Sequence, residues 1–208
     1  MSKASGPSDS ADGSRFPSPR KGRAEAEALA RRIAGAWKPA HIYTSPMERS
    51  VKTAEAIARA CRLAGGEPRD DLNDIDYGAW QFKTFTEAKA DDPVLFAAWF
   101  ATPHLVRFPN GESLQDLAAR TDNALRYVLA RHARDTIVIV GHDSVNRALL
   151  LQFLDLPLSA YWRLEQSPCC LKRSTWRTAR FASAGSMKPA TWTKRRLNSY
   201  RGRSHTVL

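Results

Sequence analysis

The stretch Thr136–Leu150, TIVIVGHDSVNRALL, constrains the fold more than any other part of this 208-residue chain. Thr136–Val140 is an almost continuously apolar, β-branched run, which suits a strand buried on both faces of a parallel sheet. A tight turn follows at Gly141–Ser144, and helical spacing begins at Val145 and runs to Phe153. A strand that hands its carboxyl end to a helix start is the repeating unit of layered α/β proteins, and open α/β sheets bind ligands at that edge. His142 stands at that edge. Helix amides and the helix dipole favour an anion there, and an imidazole donates hydrogen bonds to phosphate oxygens. Taken alone, a turn histidine satisfied by local backbone is the better explanation of the residue.

The rest of the chain supplies matching pieces. Residues 1–21 are rich in Ser, Pro and Gly and predict a flexible lead-in. Ala26, Leu29, Ala30, Ile33 and Trp37 recur at helical spacing and predict a helix over 23–37. His41–Thr44 reads as a short buried strand ended by Ser45-Pro46, and Glu48–Leu63 as a second helix. Gly65–Pro68 is a break, Asp70–Trp80 a polar loop, and Phe82–Thr102 one or two short helices. Pro109–Gly111 is a turn. Ser113 then caps a helix to about His132, with Asp116 in a capping-box position. Helices alternating with strands predict an α/β layered domain. Trp192–Leu197 predicts a last edge strand.

Three further groups carry candidate chemistry. Arg49 lies in the first turn of the second helix, where a cation is unfavourable unless an anion bridges it to the helix end. Its guanidinium fork matches phosphate oxygens; a surface ion pair with Glu48 or Asp74 is the plainer explanation. Asp74, in LNDIDYGAW, is a candidate general acid, although Asp favours such loops anyway. Glu112, beside the Ser113 cap, is a candidate lining residue. In the middle segment Trp99, Phe100 and His104 read first as lid packing and second as contacts to a leaving group.

The net charge of +11 is concentrated at the ends of the chain. Residues 41–171 are nearly balanced, with 14 Lys/Arg and 17 Asp/Glu, whereas 172–208 hold ten Lys/Arg and no acidic residue. That predicts a basic tail that binds polyanions non-specifically at low salt. No run of 18 apolar residues occurs, so no membrane partner is expected. Three cysteines, two of them adjacent, and an N-terminus with no apolar core predict a reducing, cytoplasmic setting.

Taken in order, GRAEAEALARRIA, YTSPMERSVKTAEAIA, LNDIDYGAW, NGESLQDLAAR and VGHDSVNRALL resemble the histidine phosphatase superfamily, with its phosphoglycerate mutase-like fold. The resemblance covers residues 22–171. It implies a three-layer α/β/α domain with a mainly parallel sheet and phosphoryl transfer through a phosphohistidine, with no metal and no cofactor. By the same resemblance Arg49 and His142 hold the phosphoryl oxygens. Asp74 stands where the family usually has a longer Glu that protonates the leaving oxygen. Asp143, Ser144 and Glu112 become candidate substrate-binding residues. The implied activity is hydrolysis of a small phosphomonoester; the alternative is a protein that binds phosphate compounds without catalysis. The family's Arg-His-Gly motif, source of the nucleophile, occurs nowhere in the 208 residues. Its strand is therefore expected to be missing or replaced, which predicts an unpaired sheet edge, lower stability and homo-oligomer formation.

Overall fold

A computed structural model describes residues 19–132 and 134–174. Pro19 opens helix α1, Pro19–Ala36, at a position where its missing N–H costs nothing. The helix thus begins earlier than the apolar spacing indicated and takes in the last residues of the expected lead-in. Residues 1–18 of that lead-in lie outside the described residues, as do 175–208 of the basic tail with the expected strand at Trp192–Leu197.

After α1 come β1, His41–Thr44, and α2, Glu48–Cys61. β2 is only Glu67–Pro68, inside the segment read as a break; as a two-residue edge strand it accommodates the proline. Two 3-10 turns, Asp70–Leu72 and Gly78–Trp80, bracket the polar loop. The middle segment forms two helices, α3, Phe85–Asp91, and α4, Pro93–Ala101, divided where Asp92 caps α4 and Pro93 enters its first turn. α5, Leu114–Arg131, starts from the Ser113–Asp116 capping box. β3, Ile137–Val140, and α6, Asp143–Phe153, complete the core elements.

The three strands form one parallel sheet in the order β2–β1–β3, with His41 opposite Ile137 and Thr44 opposite Val140. Ile42 and Val138 face one side with Ala30, Ile33 and Ile57 of α1 and α2. Tyr43, Ile137 and Ile139 face the other with Leu117, Leu125 and Leu149 of α5 and α6. The chain is a three-layer α/β/α protein, and β3 reads as an unbroken apolar run because both its faces are covered. Each fully buried aliphatic side chain contributes about 1.5–3 kcal/mol to this packing. Among the described residues β3 pairs with β1 alone. No helix of the described residues is long and apolar enough to cross a membrane. Trp99 is buried against Phe108, Tyr161 and Trp162, which fits the packing explanation given for it above.

Two glycines join the polar loop to the turn before α5. Gly78 has φ +52, and a Cβ on it would lie 2.1 Å from the Pro109 carbonyl oxygen. Gly111 faces it, with room for a Cβ blocked 2.4 Å away by the Asp76 carbonyl oxygen. Hydrogen bonds from Ala79 N–H to Pro109 O and from Glu112 N–H to Asp76 O, both 2.8 Å, close the junction. Gly78→Ala must strain both the backbone and this contact, so it is expected to lower the unfolding free energy by more than about 2 kcal/mol. A denaturant titration showing a change within about 0.5 kcal/mol would contradict the close approach.

Candidate active site

β1 and β3 lie side by side, so their carboxyl ends deliver two loops to one place. Ser45–Met47 leads from β1 into α2 and puts Arg49 in the first helical turn; Gly141–His142 leads from β3 into α6. Arg49 Nε and Nη2 donate to His142 Nδ1 at 3.2 and 2.8 Å. Arg49 Nη2 also donates to Asp74 Oδ2 at 3.0 Å. Asp74 Oδ1 accepts from Ser144 Oγ at 2.6 Å and from Ile75 N–H at 3.0 Å. The structure thus brings together Arg49, His142, Asp74 and Ser144.

These contacts decide the tautomer of His142. A guanidinium only donates, so Nδ1 must be the lone-pair nitrogen and Nε2 carries the proton. Nε2 points at Ser50 Oγ, 3.5 Å away. Ser50, His142 and Asp74 therefore fall in a line that outwardly resembles a hydrolase triad, with Asp74 Oδ2 3.7 Å from Nδ1. A triad needs the opposite tautomer, with Nδ1–H on the carboxylate and a free Nε2 at the serine. The Arg49 fork excludes that arrangement and leaves an anion-binding one. Burial, above all, lowers the His142 pKa from 6.5 to about 4; Arg49 and Arg120 lower it too, while Asp74 opposes them. The ring is neutral at physiological pH.

The remaining candidates stand one layer further out. Ser144 is fully buried, so in this conformation its hydroxyl holds Asp74 and is closed to solvent. Asp143 gives one carboxylate oxygen to Arg147 Nε and the other to Gln166 Nε2. Glu112 braces the loop, accepting from Asp76 N–H at 2.9 Å and from both Nε and Nη2 of Arg120.

Arg120 is the residue that sequence reasoning missed. From α5 it donates to the carbonyl oxygens of Asp71, Asn73 and Asp74 at 3.1, 2.6 and 3.0 Å and so fixes the loop that presents Asp74. Its residue type alone does not separate it from a solvated helix arginine. Its distance of two turns from the Ser113 cap, on the Leu117 side of α5, is the only signal that points inward.

The model of the histidine phosphatase superfamily, branch 1, matches residues 19–185, and the chain belongs to that family. Among curated relatives, phosphoserine phosphatase 1 of Hydrogenobacter thermophilus is 36% identical over 121 residues, 58% of this chain and 57% of that protein. A metal-independent phosphoserine phosphatase of Arabidopsis thaliana is 29% identical over 132 residues, 63% of this chain and 56% of that one. The chain thus spans little more than half the length of either. Among solved structures, Bacillus stearothermophilus YhfR superposes with a TM-score of 0.70 at 27% identity, covering 86% of this chain and 95% of that one. A mycobacterial glucosyl-3-phosphoglycerate phosphatase gives 0.65 at 26% identity, covering 77% and 81%.

Proposed function

We propose that this chain is a phosphomonoester hydrolase of the histidine phosphatase family that holds its phosphoryl group between Arg49 and His142. The observation that carries this reading is the meeting of a guanidinium fork and a buried neutral imidazole at the adjoining carboxyl ends of β1 and β3. Arg49 supplies fixed positive charge and a planar pair of donors for two phosphoryl oxygens. Once the fork turns to an anion, His142 Nδ1 is released. The added negative charge raises its proton affinity, and the ring becomes a second donor to the same group. Donors fixed in advance on a buried site stabilise charge that develops on the transferring phosphoryl group. Asp74, freed from the fork when the phosphoryl group takes its place there and then protonated from solvent, is the proposed proton donor to the leaving oxygen. The substrate is a small phosphate monoester. The three cysteines, Cys61, Cys169 and Cys170, are unpaired, which supports a cytoplasmic setting.

One observation favours a second reading. The 208 residues contain no Arg-His-Gly, the motif that supplies the phosphohistidine in the family the sequence resembles. On that reading the chain binds phosphate monoesters without turning them over. Hydrolysis of an aryl phosphate by the wild type and by His142→Ala separates the two. Activity that disappears in the variant supports the hydrolase. Inactivity of both, with a wild-type melting temperature that rises with orthophosphate, supports the binder. Inactivity with no such rise refutes the phosphoryl site itself.

A further inference from the structure

We infer that the Asp74 carboxylate is a built-in occupant of the phosphoryl site and that a phosphate monoester binds by displacing it. The inference rests on reading Arg49 and His142 as that site, and it adds what the site holds when no ligand is present.

The edge of Arg49 that would grip two phosphoryl oxygens is the one formed by Nε and Nη2. That edge is already engaged. His142 Nδ1 accepts from both nitrogens, and Asp74 Oδ2 accepts from Nη2 at 3.0 Å. Asp74 Oδ2 also lies 3.7 Å from His142 Nδ1. It therefore stands within reach of both groups, where an oxygen shared between Arg49 and His142 would stand.

The carboxylate is not a loose surface partner of Arg49. Its side chain is only 15% exposed. Its other oxygen takes the Ser144 hydroxyl at 2.6 Å and the Ile75 amide at 3.0 Å. Arg120 holds the carbonyl of the same residue at 3.0 Å. Three donors thus meet on this one carboxylate: the Arg49 guanidinium, the Ser144 hydroxyl and the Ile75 amide. Ser144, with no exposed surface, acts here as a positioning residue for Asp74. Ligand entry is then an exchange of one anion for another. The carboxylate weakens binding of every phosphate compound and keeps the Arg49 fork and the His142 ring aligned until one arrives.

Calorimetric titration of orthophosphate into the full chain tests this with three variants. Asp74→Asn keeps the shape and the Ser144 contact but removes the charge; it is expected to bind orthophosphate at least about tenfold more tightly than wild type. Asp74→Ala removes the occupant altogether and is expected to shift in the same direction, which preserves the test if one variant does not fold. Asp122→Asn removes an equal charge from the exposed face of α5, where Arg126 holds it. It is expected to change affinity by less than about threefold, as for a charge acting only at a distance through solvent. Unchanged or weaker binding by both Asp74 variants overturns the inference while the phosphate site stands. A gain in Asp122→Asn equal to that in Asp74→Asn also overturns it, because net charge alone would then explain both. No orthophosphate binding by wild type or by any folded variant refutes the site, and the inference with it.

Discussion

Replacing Arg49 with alanine is expected to lower orthophosphate affinity by about a hundredfold or more while leaving the fold nearly as stable as before. The two effects differ because the side chain is more than a third exposed. An ion pair at such a place contributes about 1 kcal/mol or less to stability. Its role toward a ligand is different. A bidentate, charge-assisted pair in a partly desolvated site accounts for about 3 kcal/mol of binding, which is the hundredfold. Arg49→Lys keeps the charge but loses the planar fork, so it is expected to recover only part of the affinity. The measurement is orthophosphate calorimetry beside a denaturant titration. Equal affinity for wild type and Arg49→Ala would remove Arg49 from the site. Loss of affinity with loss of folding would make it a structural residue.

His142 predicts the largest pH effect. Burial lowers its pKa from 6.5 to about 4, so the folded chain resists a proton that the unfolded chain accepts. Between those two values the unfolded state binds more protons, and stability must fall as pH falls. The contribution is complete above about pH 6.5 and lost by about pH 4, and it is on the order of 3 kcal/mol. Other titrating groups share this window, and a difference removes them. The gap in unfolding free energy between wild type and His142→Asn should shrink steadily from pH 7 to pH 4. Parallel pH curves for the two proteins would show that the ring is not held neutral by burial.

Much of this arrangement is legible in the residues, and the legible part has a common cause. Thr136–Val140 and His41–Thr44 announce strands because β-branched runs have few other uses, and each is followed at once by a helix start. Arg49 and His142 can therefore be placed at strand ends without knowing the sheet. That β1 and β3 are neighbours, which makes the two residues meet, is a property of topology and not of either segment. The Ser113–Asp116 capping box is local and is formed as expected.

What could not be read depends on contacts across the fold. Ser144 has the chemistry of a ligand-binding hydroxyl, and only its burial under the Asp74 loop makes it a positioning residue. Glu112 sits near the site for a reason its spacing does not show: it is the counter-charge of Arg120. Arg120 itself is one arginine among many until its guanidinium is seen on three carbonyl oxygens. Gly65–Pro68 looks like a break because β2 is so short, and its place in the sheet comes entirely from β1 beside it.

The proposed hold on a phosphoryl group is shared by Arg49 and His142. Following the His142 imidazole nitrogens by NMR during an orthophosphate titration tests it most directly. A saturable shift of both nitrogens is expected, with the ring taking up its proton well above pH 4 once the anion is bound. Nitrogen signals that stay fixed at every phosphate concentration would contradict it.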